Sequence, residues 1–158
     1  MNENYQIVTD RNKLSQACKK VTVPEGIEIG KILLKELKKE RTGVGLAANQ
    51  IGIDAAVCVV KVGQPVVLVN PVIKNSFKKI FPLEACLSFP GEQVTTQRWA
   101  NIAVKADNHK DLLYFGEDNL LECICTQHEI DHLNGITMFD RQNELDKAPN
   151  IEYIKNIK

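Results

Sequence analysis

Apolar residues Ile29, Ile32, Leu33 and Leu37 recur three and four positions apart, with Lys and Glu between them. That period predicts an amphipathic helix ending near Thr42 and Gly43. Upstream, Asp10 is placed to cap a short helix through Lys19. Val23-Pro24-Glu25-Gly26 reads as a break between the two. Residues 43–52 are small and nearly uncharged, too glycine-rich for a stable helix and too polar at Asn49 and Gln50 for a plain core strand. Apolar runs at 55–60, 66–69 and 102–106 predict strands, punctuated by Pro65, Pro71, Pro82 and Pro90, and residues 111–115 are expected to pair back as another. From 118 to 133 the period is helical again, with Asn134-Gly135 as its C-cap. Pro149-Asn150 is expected to cap a last short helix with Ile151, Ile154 and Ile157 on one face. Helices, then strands, then a helix predict an α+β fold with a mainly antiparallel sheet.

Composition narrows the classes. At 158 residues, with 44% hydrophobic and 25% charged, the chain is sized for one globular core. No repeat or linker divides it, so residues 1–158 are expected to form a single catalytic domain. Twenty basic residues balance twenty acidic ones, which argues against a nucleic-acid surface. No apolar stretch is long enough to span a bilayer. The first ten residues, with Glu3 and Asp10, resemble neither a secretory signal nor a transit peptide. The five cysteines, Cys18, Cys58, Cys86, Cys123 and Cys125, are odd in number and fit no disulfide framework. A reducing, cytoplasmic setting is expected.

The chemistry concentrates in His128-Glu129-Ile130-Asp131-His132. On a helix the two histidines lie one turn apart on one face, so both imidazoles can reach one ion. Glu129 is offset by about 100° and can touch a water there without being a ligand. Two of the three histidines in the chain fall in this pattern, which weighs against a chance match on a surface helix. A catalytic site needs a third protein ligand. Downstream there is no histidine, only acids such as Asp140, Glu144 and Asp146. Upstream, Glu84-Ala85-Cys86-Leu87-Ser88 offers Cys86, whose thiolate suits zinc or iron. A buried, inert cysteine is the competing reading. Cys125 is one turn before His128 on the same helix. Three ligands in line cannot surround an ion, so Cys125 is expected to line the pocket instead.

Three segments together resemble the peptide deformylase family. Gly43-Val44-Gly45-Leu46-Ala47-Ala48-Asn49-Gln50 is similar to its first motif, Glu84-Ala85-Cys86-Leu87-Ser88 to its second, and Gln127-His128-Glu129-Ile130-Asp131-His132-Leu133 to its third. The resemblance runs from about the Ile29 helix to Arg141. It implies antiparallel sheets around a central metal-binding helix. It implies Cys86, His128 and His132 as ligands of one divalent ion, Fe(2+) first, with Zn(2+), Ni(2+) or Co(2+) as substitutes. It implies Glu129 as general acid/base, and Gln50 with the backbone N–H of Leu87 as oxyanion donors. It also implies backbone near Val44 and Gly45 pairing with the substrate, an N-formyl-methionyl polypeptide, as an added strand.

Gln127 and Asp131 flank the ligands and are expected to orient them, and the resemblance suggests a Glu84–Arg98 pair. Ser88 reads as structural. Val44, Leu121, Ile124 and Cys125 are expected to line an apolar slot for methionine. The expected setting is the bacterial cytosol or the cytosol of a host infected by a virus, and the lack of a transit peptide weighs against an organelle. The chain departs from the family pattern at Ala85, where glycine is usual either for a positive φ or for room beside the backbone; with Glu84, Cys86 and Ser88 in place, an intact loop with an extended, negative-φ residue at Ala85 is expected. It also shows no Pro-Asp-Pro near Asp10, and its segment after Arg141 is shorter than the ribosome-contacting helix of many bacterial members. A zincin-type protease is the nearest rival, and it requires a third ligand downstream. A non-catalytic descendant should have lost Glu129 or Gln50, and both are present.

Overall fold

The computed structural model describes residues 4–143. The chain runs α1 (Arg11–Leu14), α2 (Val23–Leu37), β1 (Gly45–Ala47), β2 (Val57–Val62), β3 (Gln64–Val69), β4 (Val72–Ile80), β5 (Leu83–Ala85), β6 (Gln93–Thr95), β7 (Arg98–Lys105), β8 (Leu113–Phe115) and α3 (Leu120–Leu133), with 3-10 turns at Ala48–Ile51, Glu117–Asn119 and Met138–Arg141. The strands form sheets in the orders β1-β2-β3, β4-β7-β8 and β5-β6. Within each sheet the strand pairs are antiparallel. The fold is α+β, as expected. The helix anticipated at 149–157 lies outside the described residues.

Strand β2 explains its own continuous apolar run. Val57 and Val59 pack with Leu33 and Leu37 of α2. Cys58, between them, packs with Ile130 and Leu133 of α3. A strand covered on both faces has no solvent side to alternate with. Helix α3 is in turn packed by the second sheet through Ile102, Val104 and Phe115. From Cys123 to Leu133 it is buried at every position except Ile124. A helix apolar or buried all round is one the fold is built on. None of the described helices is long and apolar enough to cross a membrane.

The boundaries differ from expectation for physical reasons. Val23–Gly26 is the first turn of α2, not a break. Thr22 caps it, its Oγ1 accepting from Glu25 N at 3.3 Å. Pro24 falls where helix N–H groups have no partner. Gly26 and Gly30 stay in the helix because it presses on β3. A Cβ at either would lie 2.5 Å from Val69 or Val67. α2 stops at Leu37, earlier than predicted, and α1 at Leu14 rather than Lys19. The segment at 43–52, too polar to read as a strand, supplies β1 and a buried 3-10 turn. The longest strand, β4, has no clear sequence signal because its face to solvent is polar and irregular, with a bulge between Ile73 and Asn75.

Candidate functional site

Helix α3 begins on Asn119, whose side chain accepts from Glu122 N at 3.2 Å. It ends at Asn134 and Gly135. Gly135 has φ of 74° and faces the backbone of Ser15 and Gln16, so no side chain fits there. Between these ends, His128 and His132 lie one turn apart with Nε2 atoms 3.2 Å from each other. Strand β5 delivers Cys86 to the same point, its Sγ 3.4 Å from His132 Nε2. The three donor atoms lie within 4.8 Å of one another. Two imidazole nitrogens and a sulfur converging in a buried place form a soft donor set that fits zinc or ferrous iron. Beside them Glu129 is 4% exposed, and its Oε1 has no hydrogen-bond partner among the described residues.

His132 is pushed well below its ordinary pKa, by burial first and then by His128. It therefore stays neutral, the form with a lone pair to offer. His128 goes the other way. Burial opposes its proton, but hydrogen bonds to Cys86 and Glu84 outweigh burial and hold its pKa well above the ordinary value. Ligation by His128 requires release of that proton. Burial pushes Glu129 up to about 7, helped by the negative charge of Glu84 and opposed by His128 and Arg98. A carboxyl near neutrality can both take and give a proton.

A buried ion-pair chain stands behind the cluster. Glu84 Oε1 lies 2.8 Å from His128 Nδ1. Arg98 grips Glu84 with two donors, at 2.6 and 2.9 Å, as the resemblance suggested. Thr96 Oγ1 also donates to Glu84 at 2.6 Å. Arg98 continues to Asp131, which accepts from Arg141 as well, at 3.0 Å for each of two bonds. Asp131 and Gln127 do not reach the imidazoles, contrary to the sequence expectation. Asp131 is turned away from both histidines on α3 and serves the two arginines. Gln127 fastens α3 to β7, accepting from Trp99 N at 2.9 Å and donating to Trp99 O at 2.8 Å. The carboxylate that orients an imidazole is Glu84, from a distant strand. Thr96 and Arg141 had no sequence signal, since each acts only through a partner far along the chain.

A cavity of about 540 Å³ opens beside the cluster. Val44, just before β1, and Gly45, its first residue, line it, with Leu121, Ile124 and Cys125 from α3. Ala85, Leu87 and Gln50 close the other side. Gly45 has no alternative. A Cβ there would stand 2.6 Å from Cys125 Sγ and 2.7 Å from Glu129 Oε2. Gln50 is buried and oriented, its Oε1 accepting from Ala47 N at 2.9 Å. That turns Nε2 to Ser88 Oγ at 3.1 Å and toward Cys86 Sγ at 3.6 Å. Ser88 thus has a more specific task than its sequence context suggests, because it holds this amide. No described residue accepts the Leu87 N–H. Asp140, the nearest downstream acid, is occupied with Thr137 and Arg11 and stands apart from the cluster.

The fold and this arrangement define an α+β protein with one helix-borne donor cluster at the floor of an apolar cleft. The family model described as polypeptide deformylase matches residues 5–148. A peptide deformylase of Natranaerobius thermophilus is 38% identical over 136 residues, 84% of this chain and 87% of that protein. The crystal structure of peptide deformylase from Thermotoga maritima is 30% identical with a TM-score of 0.75, covering 90% of this chain and 99% of that one. The Thermus thermophilus enzyme is 28% identical with a TM-score of 0.80, covering 96% and 93%. The chain belongs to the polypeptide deformylase family, whose members are metal-dependent hydrolases.

Proposed function

We propose that this protein removes the formyl group from N-formyl-methionyl polypeptides, releasing formate, with Cys86, His128 and His132 holding one divalent ion. The observation that carries this is the convergence of those three donors with the buried, unpartnered Glu129 oxygen beside them. The thiolate with two imidazoles suits Fe(2+), and Zn(2+), Ni(2+) or Co(2+) can substitute. The ion, when bound, supplies Lewis acidity to the formyl carbonyl and makes water a better nucleophile near neutral pH.

The protein's own groups do the rest. Glu129 takes a proton from the attacking water and passes it to the amine nitrogen of methionine as the C–N bond breaks. Gln50 Nε2 and the Leu87 N–H donate to the carbonyl oxygen as it becomes tetrahedral, each worth roughly 3 kcal/mol. The backbone of Val44 and of Gly45, where β1 begins, pairs with the substrate backbone as an added strand. Leu121, Ile124 and Cys125 take the methionine side chain, which favours an apolar slot.

Protein purified without oxygen, assayed for metal and for formate release from formyl-Met-Ala-Ser, tests the reading. About one metal ion per chain and stoichiometric formate support it. Cleavage of internal peptide bonds without formate release would overturn it in favour of a protease.

A further inference from the structure

His132 is the most deeply buried of the three donors, with no exposed surface. Its Nε2 faces the cluster, 3.4 Å from Cys86 Sγ and 3.2 Å from His128 Nε2. A neutral imidazole that offers Nε2 to an ion carries its proton on Nδ1. That Nδ1 has no hydrogen-bond partner among the described residues. Two other buried side-chain atoms share this condition, Glu129 Oε1 and Asn49 Oδ1. Glu129 belongs to the cleft wall, whereas neither Asn49 nor His132 lines the cleft. Behind the cluster, a buried donor and a buried acceptor therefore stand unpartnered, and their residues already touch. Asn49 Nδ2 donates to the backbone O of His132 at 2.7 Å. This holds the carboxamide against the last turn of α3 and leaves Oδ1 to accept. Asn49 sits beside Gln50 in the 3-10 turn Ala48–Ile51. It also lines a second cavity of about 230 Å³ with Cys18 and Asp54. That cavity gives water a way in that does not pass through the cleft.

We infer that Asn49 is a positioning residue for His132, its Oδ1 accepting from the Nδ1–H through one buried water. The inference rests on the reading of His132 as a metal ligand. A ligating histidine almost always gives its second N–H to an acceptor, which fixes the tautomer and the ring. Glu84 does this for His128. No carboxylate does it for His132 among the described residues. A buried water needs two to four polar partners, and here it meets Oδ1 and Nδ1–H. Left dry, both atoms would forfeit the bonds they make to solvent in the unfolded chain. Asn49 then holds one residue at two points, the backbone through Nδ2 and the ring through Oδ1. Because Gln50 follows directly in the same turn, the oxyanion donor and the ligand are set from one piece of backbone.

Substitution separates the two points. Asn49→Asp keeps an acceptor for the ring and loses the donor to His132 O, a carbonyl that still accepts from Gly135 N at 3.1 Å. Asn49→Leu removes both. Zn(2+) affinity is measured by competition with a chelator, on proteins shown to unfold cooperatively in urea. Asn49→Leu should bind Zn(2+) about 10–100-fold more weakly than the parent, and Asn49→Asp within about threefold of it. An equal loss in both variants would mean that only the backbone bond matters, and unchanged affinity in both would mean that Asn49 does not act on the ligand. Either result overturns the inference. The parent protein gives a second reading that needs no variant. In NMR of the Zn(2+)-loaded protein labelled at its histidine nitrogens, His132 should carry a proton on Nδ1 that exchanges slowly with solvent. A bare Nδ1, or a proton in fast exchange, would overturn the inference and leave the metal centre standing. A parent that binds no Zn(2+) would overturn the metal-centre reading and this inference with it.

Discussion

His128 Nδ1 lies 2.8 Å from Glu84 Oε1, so the carboxylate from β5 sets which nitrogen of the imidazole faces Cys86 and His132. The same carboxylate holds Arg98, and both groups are almost fully buried. Glu84→Gln keeps the shape but leaves a buried guanidinium with only Asp131 to compensate it. Breaking a buried pair of this kind costs about 3–5 kcal/mol. Losing the group that orients a ligating imidazole costs about 10–100-fold in metal affinity. Denaturant unfolding and competitive metal titration of the variant should show both losses. An unchanged midpoint and unchanged affinity would mean that the Glu84 contacts are incidental.

Acid should destabilise the protein through the same residue. Burial alone would raise the pKa of Glu84, but hydrogen bonds and charge from Arg98 and His128 hold it well below its ordinary value of 4.5. A carboxyl depressed in the folded state contributes stability above its unfolded pKa, and that contribution is lost as pH falls below it. Stability to urea should therefore drop steadily as pH is lowered beneath about 4.5, and the drop should be smaller in Glu84→Gln. Parallel pH profiles for the two proteins would assign the acid sensitivity elsewhere.

Glu129→Gln should keep its metal and lose activity. The amide matches the carboxylate in size but cannot accept a proton, and positioned acid–base groups contribute about 100- to 10,000-fold. Metal content by elemental analysis together with formate release measures both halves. Turnover within a few fold of the parent would remove Glu129 from the proton-transfer role.

The two sulfurs near the helix separate by substitution. Cys86→Ala should lose tight metal binding, since two imidazoles are left. Cys125→Ala should retain it, because that thiol lies against the cleft and Gly45, outside the donor cluster. Burial pushes the Cys125 thiol well above its ordinary pKa, aided by the negative charge of Glu129, so it stays protonated. Metal retained in Cys86→Ala and lost in Cys125→Ala would move the ligand to the helix.

Ala85 belongs to an extended strand, paired with Gln93, and has no positive φ. The methyl group is therefore not strained, and the family's glycine at this place is not demanded here by backbone conformation. Ala85→Gly should change kcat/KM by less than about tenfold, a barrier shift under roughly 1.4 kcal/mol. It should lower stability by about 0.5 kcal/mol, since glycine gives the unfolded chain more freedom to lose. A large gain in both rate and stability would show that the methyl group obstructs the cleft.

The spacing of His128, Glu129 and His132 is legible in the chain because a helix converts separation along the sequence directly into a shared face. The apolar run of β2 and the small residues at 43–52 are legible for similar local reasons, although the second is not readable as a strand. Which cysteine joins the histidines is not legible from spacing. Cys86 and His132 are 46 residues apart, and only the docking of β5 beside α3 puts their atoms 3.4 Å from each other. The roles of Gln127 and Asp131 differ from expectation for the same reason. Adjacency to a ligand in sequence turns a side chain about 100° away on a helix, toward β7 and Arg98. Pro24 and Gly26 look like a break because propensity acts locally, and at Gly26 it is outweighed by close packing on β3. Sequence determined the local periods and the donor chemistry. Tertiary structure alone decided which distant groups meet, because buried charges such as Glu84 and Arg98 must find partners wherever the fold brings them.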